Sequence, residues 1–144
     1  QPMSGALQIA EPPARYLDRP ALVVDCSVLA GLVFREPWYD AASKLMNGQT
    51  PHAPHLLIYE IGNVALKKHR RGEAHALPGF EEALGLDIEL HGVDMAHAFA
   101  LAQRYQLSSY DASYLWLAAE LKCPLATFDE TLAQAARVHL AGLG

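Results

Sequence analysis

Four acidic residues stand next to apolar segments, and their types and positions suit them to chemistry. Asp25 ends the apolar run ALVVD and Asp129 ends LATFD, while Glu60 interrupts LLIYEIGNVAL and Asp111 follows the serines of LSSYDASYL. None of the four has a basic partner close in sequence. Because like charges that gather without a counter-charge require a cation, and oxygen ligands without cysteine favour hard ions, the set predicts a Mg²⁺ or Mn²⁺ site.

Each acid taken alone also has a structural explanation. Asp25 and Asp129 could cap the helices that follow their strands, and Asp111 lies where the helix dipole favours an acid. Glu60 could extend from a core-facing helix towards solvent. The common site is favoured because the ends of parallel strands meet at one edge of a sheet, where open α/β folds bind ligands. Along the Glu60 helix, Asn63 and Lys67 continue one polar line.

The elements that would position these acids alternate between apolar strands and helices. This order predicts an α/β domain with a mostly parallel, about five-stranded sheet. We expect strands at residues 21–25, before Pro54, at 86–92 and at 123–129, with a last edge strand at 138–142. We expect helices at residues 27–34, 38–47, 55–71, 77–85, 95–105, 110–121 and 130–138.

The start of the chain is Pro-bearing and shows no periodicity, so we expect residues 1–20 to form a flexible arm. We interpret residues 1 and 2 as a cloning remnant. Residues 21–144 then form one domain, because 144 residues with 51% hydrophobic content suffice for a core. The 19% of charged residues argues against disorder.

The charge and cysteine content exclude some classes of protein. A net charge of -5 argues against a protein that coats nucleic acid, although an enzyme could still bind it at one small site. Cys26 and Cys123 are too few for a disulfide framework, and we expect both to be reduced core thiols of a cytoplasmic protein. We expect neither a signal peptide nor a membrane span.

Two further groups could bind a ligand or have a structural role. The basic cluster comprises Lys67, Lys68, Arg70 and Arg71. These cations could favour a helix C-terminus through the dipole, or they could contact RNA phosphates beside the acids. His52 and His55 are close in sequence, but nothing completes a zinc set, so we expect surface or loop histidines.

Four segments of the chain resemble the acidic motifs of PIN domains in their order and spacing. They are VVDCSVL, LLIYEIGNVAL, LSSYDASYLWLA and LATFDETL, and the resemblance extends over residues 21–140. The nearest type is the VapC-like toxin of bacterial toxin–antitoxin pairs. The resemblance implies a three-layer α/β/α sandwich and a Mg²⁺- or Mn²⁺-dependent endoribonuclease, with residues 21–144 as the PIN-like nuclease domain. It also implies an RNA substrate, a VapB-like antitoxin and a homodimer.

The resemblance assigns roles residue by residue. Asp25, Glu60, Asp111 and Asp129 match the metal-site carboxylates. Ser27 and Thr127 match hydroxyl positions that support the site, and Asn63 matches a polar position after the glutamate.

Two other functions remain open at this point. Receiver domains also place aspartates around Mg²⁺ at the carboxyl edge of a sheet, as phosphoacceptor switches. They pair two adjacent acids after the first strand and use a lysine after the last one, whereas here Asp25 stands alone and no lysine follows Asp129. A catalytically silent PIN interaction module is the other alternative, and the presence of all four acids argues against it.

Overall fold

A computed structural model of the protein describes residues 3–13 and 21–143, and within them a single five-stranded sheet has the order β1-β5-β2-β3-β4. The strands are β1 (Met3–Ala10), β2 (Ala21–Val24), β3 (Thr50–Pro54), β4 (Glu89–His91) and β5 (Leu125–Asp129). The helices are α1 (Cys26–Val33), α2 (Tyr39–Met46), α3 (Leu56–Arg70), α4 (Ala76–Gly85), α5 (Met95–Tyr105), α6 (Ser109–Leu121) and α7 (Glu130–Ala141). Strands β2 to β5 pair in parallel and β1 is antiparallel, so the predicted mostly parallel α/β fold is confirmed.

Two apolar clusters lie on opposite faces of the sheet because side chains alternate along its buried strands. Val23 and Leu125 belong to the larger cluster, which includes residues of α3 to α7. Their neighbours Val24 and Ala126 belong to the smaller cluster, which includes residues of α1 and α2. Helices therefore cover both faces, which is the three-layer arrangement.

The prediction of a flexible arm is wrong for residues 3–10, which form β1. This strand pairs with β5 in a register that places Gln8 opposite Thr127 and Ala10 opposite Leu125. Pairing satisfies the backbone groups along an edge of β5 that would otherwise be open, and Ala10 is buried there. In the rest of the predicted arm, residues 11–13 follow β1, and residues 1–2 and 14–20 lie outside the described residues.

The predicted edge strand at residues 138–142 is also wrong, because α7 continues to Ala141. The adjacent residues Leu132 and Ala133 are buried together with Ala136, as the apolar stripe of a helix requires, whereas a strand would turn adjacent side chains to opposite faces. The edge position beside β5 belongs to β1 instead. No helix in the described part of the chain is long and apolar enough to cross a bilayer.

Candidate active site

A cleft of about 320 Å³ opens at the carboxyl edge of the sheet and is lined by all four predicted acids. They come from four elements: Asp25 follows β2, Glu60 lies in α3, Asp111 lies in the first turn of α6, and Asp129 ends β5. The remaining lining residues are Cys26, Ser27, Asn63, Val64, Tyr110 and Tyr114. Among the described residues that line this acid cleft, none carries a positive charge.

Asp25 is held in place by three hydrogen bonds and is only 5% exposed. Ser27 Oγ donates to Oδ1 at 2.6 Å, the Val28 amide donates to the same oxygen at 3.2 Å, and Thr127 Oγ1 donates to Oδ2. Burial raises the pKa of the Asp25 carboxyl, although the hydroxyl and amide donors act in the opposite direction. Asp25 therefore caps α1 and also presents a fixed carboxyl group to the cleft.

The two predicted supporting hydroxyls connect the ends of the neighbouring strands. Ser27 Oγ accepts a hydrogen bond from the Phe128 amide at 2.8 Å, and Thr127 Oγ1 accepts one from the Asp129 amide at 2.9 Å. Each hydroxyl thus joins β5 to the Asp25 carboxylate. Both hydroxyl groups are buried, so this small network fixes the separation of Asp25 and Asp129.

Asp129 caps α7 through one carboxylate oxygen. Its Oδ1 accepts from the amides of Thr131 at 2.9 Å and Leu132 at 3.2 Å. Both capping hydrogen bonds go to Oδ1, so Asp129 can cap α7 and still offer Oδ2 to a ligand in the cleft. For Asp25 and Asp129, capping and site formation are therefore not alternatives.

Glu60 is positioned by a residue that sequence reasoning missed. Tyr114 is 1% exposed, and its hydroxyl donates to Glu60 Oε1 at 2.5 Å. Burial raises the pKa of Glu60, and the negative charge of Asp25 adds to this effect while the Tyr114 hydrogen bond opposes it. The sequence offered one signal for this role. Tyr114 carries a hydroxyl group and follows Asp111 by three residues, which places both side chains on the same side of the helix.

Asp111 has no such support. Its Oδ2 is buried and accepts no hydrogen bond from any described residue. Burial, followed by the negative charges of Asp129, Asp25 and Glu60, raises the pKa of Asp111 to about 7. A buried carboxylate oxygen without a donor is the atom in this cleft that a cation would satisfy.

The four acids share a cleft without forming a finished metal centre. Within residues 3–13 and 21–143, no group of three or more His, Cys, Asp or Glu side chains is already arranged to hold a metal ion. The carboxylate oxygens nevertheless suit Mg²⁺ or Mn²⁺, and the buried Asp111 Oδ2, which accepts no hydrogen bond from the described residues, fits the role of a cation ligand. The metal-binding roles of the four acids stay predictions.

Cys26 departs from the expectation that it belongs to the core. In a strand, Cys26 would point to the opposite side of the sheet from Asp25. Strand β2 ends at Val24, however, and α1 begins at Cys26, so this alternation does not apply to Cys26. Cys26 lines the acid cleft while also packing against the larger apolar cluster. Burial and the charges of Glu60 and Asp25 raise the pKa of its thiol far above the ordinary value, which argues against a thiolate nucleophile. Cys123 is fully buried, as predicted.

The structure divides the basic cluster into two pairs. Lys68 Nζ lies 2.5 Å from Glu36 Oε1, and Arg71 Nη2 lies 2.8 Å from a Glu73 oxygen, so both already have acidic partners. Lys67 and Arg70 are exposed and form no ion pair with the described residues. Lys67 follows Asn63 by one helical turn, which continues the polar line that leaves the cleft.

The prediction of surface or loop histidines is wrong for His52. It lies half-buried in β3, with its Nδ1 2.8 Å from Nε2 of His91 on β4. Burial lowers the pKa of His52, with a smaller contribution from His91. His55 is exposed at the start of α3, as expected.

Comparison with known proteins identifies the family. The family model described as PIN domain matches residues 22–138. The chain belongs to the PIN domain family. Ribonuclease VapC3 of Pyrobaculum aerophilum is 33% identical to this PIN-domain protein over 121 residues, covering 78% of the chain and 92% of the relative. The crystal structure of PAE2754 from the same organism matches it with a TM-score of 0.64 at 24% identity, over 86% of this chain and 88% of that one. The predictions of a VapC-like PIN-domain protein and of its fold are therefore confirmed.

Proposed function

We propose that this PIN-domain protein is a metal-dependent endoribonuclease that acts as the toxin of a toxin–antitoxin pair. The observation that carries the proposal is the acid cleft, where four carboxylates converge and none of the described lining residues is positively charged. The similarity to a protein named Ribonuclease VapC3 supports RNA as the substrate. It also favours this function over the receiver-like switch, as does the match to the PIN family model.

The residues that would hold the ion are Asp25, Glu60, Asp111 and Asp129, with Mg²⁺ or Mn²⁺ as the ion. When bound, such an ion supplies an activated water and relieves the charge that develops on the phosphate. Ser27 and Thr127 hold the Asp25 carboxylate in one orientation, and Tyr114 does the same for Glu60. The buried Asp111 oxygen could serve the ion, because no residue in the described part of the chain donates a hydrogen bond to it.

The RNA backbone would leave the cleft along α3. Asn63 lines the cleft, and Lys67 and Arg70 extend its polar line with exposed side chains. We assign phosphate contacts to Lys67 and Arg70. We leave Lys68 and Arg71 out of the proposed set, because each already forms an ion pair with a glutamate.

A toxin of this kind requires an inhibitor. We propose a VapB-like antitoxin that places an amphipathic segment against the protein and presents an arginine to the carboxylates. A cytoplasmic location follows from this function, since its RNA and antitoxin partners are found there. Purification of the products of the native operon should return a complex of the two chains, and recovery of this chain alone would contradict the assignment.

The test of the proposed function is RNA cleavage by the full chain with EDTA, Mg²⁺ or Mn²⁺. We expect wild type to cleave only with metal, and Asp25→Asn and Asp129→Asn each to lose at least about a hundredfold in rate (roughly 2.7 kcal/mol at 1.36 kcal/mol per tenfold). Asp40→Asn, an exposed acid outside the cleft, is the matched control and should cleave normally. Cleavage by the two cleft variants at the wild-type rate would show that the site is misassigned.

A further inference from the structure

A second, smaller cavity of about 250 Å³ adjoins the acid cleft. The same residue, Tyr110, lines both cavities. Tyr110 is 59% exposed, so its side chain is accessible to a ligand in solution. The two cavities therefore share this tyrosine as a lining residue.

The same two helix starts build both cavities. On α3, Leu56 lines the second cavity and Glu60, one turn later, lines the acid cleft. On α6, Ser109 and Ser113 line the second cavity, whereas the intervening Asp111 lines the acid cleft. Because a helical turn rises about 5.4 Å, a group seated in the second cavity lies next to whatever the carboxylates bind.

The second cavity has the chemistry of a site for a flat ring. Leu56, Val93 and Met95 supply apolar walls, and Met95 is 51% exposed. His55, His91 and Ser109 supply hydrogen-bonding groups at its rim. Its volume is below the roughly 300–1,000 Å³ of pockets that enclose drug-sized ligands, so it suits a single ring system. The described residues that line it include no lysine or arginine, which argues against a phosphate.

We propose that this second cavity binds one unpaired nucleobase of a single-stranded RNA, stacked on Tyr110, beside the phosphate that the acid cleft cleaves. The inference rests on the proposed function, because the RNA is the occupant that the neighbouring cleft supplies. A base within a duplex is stacked and paired and cannot enter, whereas a splayed base in a loop or bulge can stack on an aromatic side chain. The occupant is therefore an unpaired base, and the base preference of cleavage would be set at this second cavity.

The first test uses free nucleosides, which carry no phosphate and do not depend on the acid cleft. Adenosine, guanosine, cytidine and uridine are titrated in turn into the full chain labelled with ¹³C at its methionine methyl groups. The Met95 resonance, assigned with Met95→Leu, should shift with one or two of the four nucleosides, while the Met46 resonance serves as the internal control. Tyr110→Ala should weaken binding about tenfold, the loss expected for one base–aromatic stack.

The matched control is Tyr59→Ala, an aromatic that is 77% exposed on α3 but lines neither cavity. It should leave the nucleoside shifts unchanged. The second test sequences the ends cut from a random RNA pool, where Tyr110→Ala should relax the base preference and Tyr59→Ala should keep it.

The outcomes separate the two proposals. The pocket assignment is overturned if no nucleoside shifts Met95, or if active Tyr110→Ala retains the wild-type base preference. If nucleosides bind as expected but wild type cleaves no RNA with either metal, the nuclease proposal fails and the cavity stands as a nucleobase site.

Discussion

The carboxylates of the acid cleft differ in how well the protein compensates their charge. Asp25 accepts three hydrogen bonds and Glu60 accepts one from Tyr114, whereas Asp111 Oδ2 is buried and accepts none from the described residues. Burying an uncompensated charge is unfavourable, so the folded state retains a proton on such a group. The residues that suit the site for a cation are the same ones that destabilise the protein without it.

Asp111 makes the metal-free protein sensitive to pH. Its pKa is about 7 in the fold and near the ordinary 3.8 when unfolded, so the folded state binds more protons between these values. Its stabilising contribution is fully present below the unfolded pKa and is lost as pH rises through the folded pKa. We expect the melting temperature of the wild-type protein in EDTA to fall between pH 4 and 7, and Asp111→Asn to melt higher than wild type at neutral pH.

With Mn²⁺ bound, we expect wild type to melt at a higher temperature than Asp111→Asn, the reverse of the order in EDTA. An ion that binds only the folded state stabilises it by roughly 2.7 kcal/mol at a hundredfold excess over its dissociation constant, and Asp111→Asn should gain much less. The measurement consists of four melting curves at neutral pH: wild type and Asp111→Asn, each with EDTA and with Mn²⁺. Asp87→Asn, an exposed acid, is the control. A lower melting point for metal-free Asp111→Asn, with equal Mn²⁺ shifts for both proteins, would refute the prediction.

Tyr114 is a positioning residue for Glu60 and should affect metal binding more than folding. Tyr114→Phe retains the buried ring but removes the donor to Glu60 Oε1, and a hydrogen bond to a charged group is worth about 1.5–3 kcal/mol. We expect the Mn²⁺ concentration at half-saturation, measured by calorimetric titration, to rise about tenfold or more. Tyr105→Phe, whose hydroxyl lies 3.0 Å from His139 Nδ1 outside the acid cleft, should bind Mn²⁺ like wild type. If wild type, Tyr114→Phe and Tyr105→Phe bind Mn²⁺ with equal affinity, Tyr114 does not position Glu60 for metal binding.

At the scale of elements, α4 packs closely against the end of α1. A Cβ added at Gly79 would lie 2.6 Å from both the Phe34 ring and the Val33 carbonyl oxygen, whereas one added at Gly85 of the same helix meets nothing within 4 Å. We expect Gly79→Ala to destabilise the protein by about 1–3 kcal/mol through overpacking. Gly85→Ala should stabilise it by about 0.4–1 kcal/mol through the entropy of the unfolded chain.

Urea denaturation of the two glycine variants beside wild type measures both effects. Because they introduce the same methyl group into the same helix, the helix propensity of alanine cannot explain opposite signs. If both variants were stabilised, α1 and α4 would be able to move apart to make room for the methyl group at residue 79, and the predicted overpacking would be wrong.

At the scale of the whole molecule, we expect a homodimer. Leu77 and Leu84 of α4 are 55% and 53% exposed and lie two turns apart, so they share one helix face. Light scattering should return about twice the chain mass of 15.7 kDa, and Leu77→Glu combined with Leu84→Glu should return a single chain. Val138→Glu, at a 65% exposed position on α7, is the control and should remain dimeric. A wild-type mass of one chain at high concentration would contradict the dimer.

The sequence by itself determined the parts of this protein that depend on neighbours in the chain. The apolar runs of β2 and β5 and the expected helix at residues 55–71 are local signals, and the structure agrees with each. The four acids could be found for the same reason. Asp25 and Asp129 stand at the ends of buried parallel strands and must therefore lie at the carboxyl edge of the sheet, whereas Glu60 and Asp111 stand out because each adjoins an apolar helical segment.

Only the tertiary structure decided which distant groups meet. Strand β1 exists because β5 offers an open edge more than a hundred residues away, and the eight residues of β1 carry little pattern of their own. Lys68 is neutralised by Glu36, which separates it from the exposed Lys67 although the two are adjacent in sequence. The hydroxyl of Tyr114 reaches Glu60 across 54 positions. Such contacts depend on how layers pack, because a side chain's partner is set by the elements that face it and not by its neighbours in the chain.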